Sequence, residues 1–158
     1  MGKLTNENLL ELEKRYRMTI LTVFAQILVT IILTVAAWVV VNKTEISPSE
    51  QTMTTLWVAI LFIAGGSFVL RRLFNGWDRL RNAALLNGVS GVLGLLQKNA
   101  VILGVFAEII SIIGFVITVF SGNSSDMFRS AAIALVVFFI NFPRKKVWKT
   151  IVSNLQEV

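Results

Sequence analysis

The sequence contains no cysteine and no histidine, and only 15% of its 158 residues are charged. Without cysteine the chain has no disulfide framework, thiolate metal site or covalent haem attachment. Without histidine it lacks the commonest metal ligand and the usual general base near neutral pH. We therefore expect no catalytic residue, no cofactor-binding residue and no metal ligand, which predicts a protein that is not an enzyme and uses no cofactor.

The shortage of charge also argues against a soluble domain, in which roughly a quarter of the residues are charged. Hydrophobic residues make up 55% of the chain and form four runs, at 18–41, 53–74, 100–120 and 127–142. Roughly 20 apolar residues cross the hydrocarbon core of a bilayer. The fourth run is short, so it crosses only if Arg129 reaches the interface; its alternative is a re-entrant or surface helix.

Basic residues alternate with these runs in a way that predicts orientation. All but two of the 15, Lys43 and Arg129, fall on one side of a four-span chain. Because cytoplasmic loops are rich in Lys and Arg, we expect a multi-pass protein of the cell (plasma) membrane with both termini in the cytoplasm. Topology then accounts for the net charge of +6. We therefore expect the lipid bilayer as a partner and no nucleic acid.

The predicted fold class is all-α: an integral membrane four-helix bundle of two duplicated transmembrane hairpins, with short interfacial helices. The duplication rests on "TILTVFAQILVTIILTV" at 19–35, which matches "VILGVFAEIISIIGFVI" at 101–117 at a shift of 82 residues. Both hairpins would run in the same sense, as parallel repeats do. Chance similarity between apolar helices is the alternative. The predicted segments are a cytoplasmic amphipathic segment (1–17), a first transmembrane hairpin (18–74), a cytoplasmic interfacial linker (75–99), a second transmembrane hairpin (100–142) and a basic cytoplasmic tail (143–158).

The two segments outside the hairpins have helical patterns of their own. In the first, Glu11 with Arg15 and Glu13 with Arg17 are i,i+4 pairs of favourable orientation, typical of a short helix. That helix would rest on the headgroups or dock a partner. The linker 75–97 predicts an interfacial helix parallel to the membrane, weakened by glycine at every third position, or a re-entrant segment. Those glycines are Gly88, Gly91 and Gly94.

Glu108 is the only acidic residue within the four apolar runs, and the repeat places Gln26 at the equivalent position. A charge near the bilayer centre costs about 2.5–3.5 kcal/mol, so such residues usually face a partner or a cavity. A protonated Glu108 would exchange hydrogen bonds with the Gln26 amide, and small or hydroxyl residues beside both would allow close helix contact. The candidate intramembrane polar site is therefore Glu108, Gln26, Ser111, Thr22 and Thr30.

"ILGVFAEIISIIGFVITVF" resembles the carboxylate-bearing helix of the rotary ATPase c subunit, around Glu108, Ile112, Gly114 and Val116. The resemblance implies an ion-carrying role for the Glu108 carboxylate. The glycine-rich first helix and the short polar loop of that family are absent, so we interpret the match as local similarity and not membership.

Two functions follow from these residues. The first is a non-catalytic protein that forms a homo-oligomer or serves as a subunit of a membrane complex, with the Glu108–Gln26 contact as a structural hydrogen bond. The alternative is a proton- or ion-conducting bundle that uses Glu108 as the carrier carboxylate.

Overall fold

A computed structural model describes residues 5–41 and 49–155 as five α-helices with no strand among these residues. The expected all-helical class is confirmed. Lys3 and Lys43 lie outside the described residues, as do the outermost residues of the predicted first segment and basic tail. The helices are α1 (Asn6–Val41), α2 (Glu50–Phe74), α3 (Trp77–Ser121), α4 (Ser124–Asn141) and α5 (Lys145–Leu155).

Four helical stretches are long and apolar enough to cross a membrane by length and composition: α1, α2, α3, and the stretch from Ser124 to Leu155 that contains α4 and α5. Their outward surfaces carry large apolar side chains; Phe62 is 82% exposed and Phe139 is 78% exposed. Water-soluble monomers rarely expose apolar area on this scale. The expected four possible spans are thus confirmed by length and hydropathy.

The longest helix, α3, contacts each of the other four helices and forms the centre of the molecule. Both α1 and α2 pack against α3 and α4, but their backbones do not approach each other anywhere in the described residues. The predicted first hairpin, 18–74, is therefore two helices in sequence and not a packed pair. Common ancestry of the two halves stays a prediction.

One core joins the apolar parts of these four helices. Side chains of α1 and α2 pack in it against one face of α3 and one face of α4. Burying such side chains contributes about 25 cal/mol per Å² in water, whereas close van der Waals fit must supply the stability inside a bilayer. The buried members are Val23, Ile60, Ala64, Ala107, Ile110, Ile117, Ala134, Val137 and Phe138.

A second core lies at the end of the molecule where the basic residues gather. It is formed by three segments: residues 6–17 of α1, residues 77–98 of α3, and α5. We call these three segments together the end bundle. Its centre is Leu12, fully buried against side chains of the other two segments. The sequence predicts separate short helices for 6–17 and for the linker 75–97. In the structure, 6–17 continues into the first apolar run as part of α1, and most of the linker belongs to α3. The buried members are Leu12, Leu80, Val92, Leu93, Leu96, Trp148, Val152 and Leu155.

Gly88 makes the end bundle possible by interrupting α3. Its backbone has φ 60° and ψ −155°, so the helix breaks there and resumes toward Ser121. Only glycine adopts this conformation readily. The chain is crowded at the break, since a Cβ atom on Gly91 would stand 2.5 Å from Asn87 Cβ. The expected weak point in the linker is confirmed at Gly88.

Candidate functional site

The contact between α1 and α3 contains most of the predicted polar site. Gln26 is 8% exposed, and its side-chain nitrogen Nε2 donates to the Val101 carbonyl oxygen at 3.4 Å. Its oxygen Oε1 is buried and has no hydrogen-bond partner among the described residues. The amide lies directly over Gly104, where an added Cβ would overlap Oε1 and stand 2.9 Å from Cδ. The Gln26 side chain therefore fits at this position because residue 104 has no Cβ atom.

Thr30 and Ser111 meet at the next level of the same contact. Their hydroxyl oxygens lie 3.0 Å apart, and both residues are fully buried. The pair gives the buried Ser111 hydroxyl a partner, while Thr30 Oγ1 also lies 3.5 Å from the Gln26 carbonyl oxygen of its own helix. The structure therefore brings Gln26, Thr30 and Ser111 together along one helix–helix seam.

Thr22 does not join that seam. Its hydroxyl donates to the Met18 carbonyl oxygen of its own helix at 3.0 Å, the usual i−4 bond of a helical threonine. The side chain is thus satisfied locally and makes no contact with α3 through its hydroxyl.

Glu108 lies at the rim of the α1–α3 seam. On α3 it stands one turn from buried Gly104 and buried Ser111 on one side, and one turn from exposed Val105 and Ile112 on the other. Glu108 as a whole residue is partly buried. Among the described residues it has no hydrogen bond or ion pair, which leaves an acid in the apolar part of the chain with no internal partner.

The expected Glu108–Gln26 hydrogen bond is wrong in this structure. Gln26 meets Gly104 and Val101 instead, which lie about one and two helical turns before Glu108. The shift of 82 residues identifies equivalent positions along the two helices, but the close approach at Gly104 sets their relative height. Residues at equivalent positions therefore do not face each other here.

Outside the apolar runs, a network of hydrogen bonds joins α1 to α3 in the end bundle. Arg15 Nε donates to Glu11 Oε1 at 2.9 Å, confirming that predicted pair, and the Ser90 hydroxyl donates to the same oxygen at 2.7 Å. The Ser90 hydrogen bond, helped by Arg15, holds the pKa of Glu11 below its usual range. The carboxylate is therefore charged at neutral pH and binds α1 to α3.

The expected Glu13–Arg17 pair is replaced by a longer-range one. Glu13 binds the Lys145 ammonium group at the start of α5, and this hydrogen bond lowers the pKa of Glu13. Both glutamates precede the apolar run that begins at Met18. Exposed ion pairs individually contribute little to the free energy of unfolding. This pair therefore links α1 to α5 without adding much stability.

Polar side chains that sequence reasoning missed gather where the helices end at the boundary of the end bundle. The last carbonyl groups of a helix lack internal partners. Asn99 of α3 donates to the Phe74 carbonyl oxygen of α2 at 2.9 Å, and the Arg71 guanidinium donates to the Ile140 carbonyl oxygen of α4. Tyr16 similarly donates to the Pro143 carbonyl oxygen at 3.2 Å. The sequence feature that points to Asn99 is its position, since this polar residue directly precedes the apolar run 100–120.

These helix ends enclose a cavity of about 100 Å³. Asn141 contributes a carboxamide whose nitrogen and oxygen are both buried with no hydrogen-bond partner in the described part of the chain. We call this space the boundary cavity. Its polar lining residues are Arg71, Asn75, Asn99, Asn141 and Arg144.

Comparison of the chain with protein-family models, curated proteins and solved structures gives no match. The fold itself defines the class: an all-helical protein with four stretches able to span a membrane.

Proposed function

We propose that this chain is a small, non-catalytic polytopic protein of the plasma membrane, with both termini cytoplasmic, that assembles with copies of itself or with a membrane-complex partner. The observation that carries the proposal is the position of Glu108. An intramembrane acid without an internal partner is costly to leave facing acyl chains. Contact with another subunit removes that cost, because a neighbouring helix supplies hydrogen-bonding groups and excludes lipid.

The surface around Glu108 suits such a contact. Val105 and Ile112 flank the carboxyl group and are 41% and 46% exposed. Small residues on the buried side of α3 are already used inside the chain, so the partner would approach over these aliphatic side chains. Interhelical hydrogen bonds in membranes contribute about 0.6–2 kcal/mol each. Glu108 would therefore orient the assembly and add to its affinity without being its sole support.

A proton- or ion-conducting bundle is the second candidate. It is favoured by the buried Oε1 of Gln26, which has no partner in the described ranges and lies on the same seam as the Thr30–Ser111 hydroxyl pair. With Glu108 on the same helix as Ser111, several side-chain oxygen atoms belong to residues of α1 and α3 within the apolar runs. Proton relays through membranes use polar side chains of this kind.

Substitutions at Glu108 distinguish the two candidates. Glu108→Gln keeps a hydrogen-bonding group and should leave assembly near that of the wild type. Glu108→Leu removes the group and should weaken association roughly 3- to 30-fold, which is the equivalent of one interhelical hydrogen bond. Association is measured by energy transfer between labelled copies as they are diluted with lipid in proteoliposomes, and proton flux is measured in the same vesicles.

Val105→Leu, at an exposed position one turn away, serves as the matched control and should behave as the wild type. A wild-type chain that stays monomeric at every dilution contradicts assembly with copies of itself and would leave a different membrane protein as the partner to be tested. A proton flux that both Glu108 variants abolish, with unchanged association, would favour the conducting bundle instead.

A further inference from the structure

We infer that the boundary cavity is a binding site for a phosphate group. The inference needs helices that span a bilayer, but it does not depend on the assembly proposed above. It rests on the charge of the cavity, on the unsatisfied amide of Asn141, a residue of its wall, and on the helix that begins beside it.

The charge of the cavity wall is of one sign. Arg71 comes from the end of α2 and Arg144 from the link between α4 and α5, and no acidic side chain lines the cavity in the described part of the chain. Neither arginine forms an ion pair there with a described residue. Guanidinium groups are the preferred partners of phosphate because their planar donors match its oxygens two at a time.

Arg71 is held in place at this wall. One of its guanidinium nitrogens donates to the Ile140 carbonyl oxygen, which fixes the side chain at the end of α4. The remaining donors of the guanidinium are free to serve a ligand. Its sequence neighbour Arg72 is exposed and does not line the cavity.

Asn141 supplies the unsatisfied groups. Both polar atoms of its carboxamide are buried without a partner among the described residues. A buried donor left unpaired is destabilising, so a group of this kind calls for a partner such as a water or an ion. A phosphate oxygen would accept from the amide nitrogen, and the space of about 100 Å³ holds small polar groups or several waters.

The start of α5 adds a further favourable field. Arg144, Val147 and Trp148 line the cavity, so the N-terminal end of α5, which is the positive end of its dipole, lies beside it. Helix N-termini attract anions. The cavity also stands at the junction of the apolar runs and the end bundle, the level at which lipid phosphates occur in a bilayer.

The phosphate group would therefore come either from an anionic phospholipid or from solution. The test uses the full chain in maltoside micelles, which contain no phosphate. Thermal unfolding is followed by circular dichroism while phosphatidylglycerol, or separately inorganic phosphate, is titrated. We expect saturable stabilisation of the wild type in at least one arm, and the arm that responds identifies the source.

Two pairs of variants localise the effect. Arg71→Gln and Arg144→Gln should each weaken the apparent affinity about tenfold, the equivalent of one charge-assisted hydrogen bond. Their matched controls, Arg72→Gln and Lys146→Gln, remove an exposed neighbouring charge and should bind as the wild type does. Arg144→Gln leaves the Arg71–Ile140 bond intact, so it remains informative if Arg71→Gln fails to fold.

Equal weakening by Arg144→Gln and Lys146→Gln would overturn the inference, because it would show diffuse attraction to a basic surface. A wild-type chain stabilised by neither phosphatidylglycerol nor inorganic phosphate would overturn it as well.

Discussion

Gly114→Ala should separate α3 from α4 and lower the free energy of unfolding by about 1–3 kcal/mol or more, the range for overpacking a close-packed core. A Cβ atom on Gly114 would overlap both the hydroxyl oxygen and the Cβ atom of Ser130. Ser130 is fully buried, and its Cβ cannot move without its backbone. The overlap can therefore be relieved only by moving one helix away from the other.

Unfolding in mixed detergent and dodecyl sulfate micelles measures this effect, with Gly65→Ala as the matched control. An added Cβ at Gly65 meets nothing within 4 Å, so this change should be neutral or stabilising by up to about 1 kcal/mol through helix propensity. Adding Ser130→Gly to Gly114→Ala should recover most of the loss, since the remaining Ser130 Cα is at 3.7 Å. Equal stability of the two alanine variants would refute the described contact between α3 and α4.

Gly88→Ala should loosen the end bundle while leaving the apolar core intact. A residue with a side chain at φ 60° and ψ −155° is strained by about 1–3 kcal/mol. The strain is relieved if α3 straightens, which would carry Leu80 away from Leu12 and Trp148. Because α5 contacts α1 and α3 alone among the described helices, it would lose part of its support.

Amide hydrogen exchange locates the effect of Gly88→Ala. Exchange should accelerate in 77–87 and in α5, with little change in α2 and α4. Gly66→Ala, at a helical glycine with open space around it, should leave the exchange pattern unchanged. Unaltered protection of α5 in Gly88→Ala would show that the break at Gly88 does not hold the end bundle together.

The spacing of residues in the sequence predicts which face of α3 is buried, but it does not predict which helix packs on that face. The small residues of α3 are buried as their spacing predicts, because helical periodicity reports which side of a helix is covered. It does not report which helix covers that side. Gln26 therefore meets Gly104 and not Glu108, and α1 and α2 are separated although they follow each other in the chain.

The end bundle shows a second limit of pattern reading. The apolar residues of 77–98 suit a headgroup surface and a protein neighbour equally well, since both remove them from water. Nothing in the pattern marks α5 as that neighbour. Asn141 was equally hidden, because an asparagine beside a helix end usually caps the helix or faces solvent, and only the fold shows its amide buried and unpaired.

The most direct test of the central claim, that the apolar helices cross a bilayer with the end bundle on the cytoplasmic side, is labelling of single cysteines in intact cells. The chain has no cysteine of its own, so each introduced thiol reports one position. Glu7, Gln51 and Lys149 are exposed and suit this purpose. A membrane-impermeant maleimide should label Gln51→Cys from outside, and Glu7→Cys and Lys149→Cys only after permeabilisation. Labelling of Glu7→Cys and Lys149→Cys from opposite sides would contradict the account.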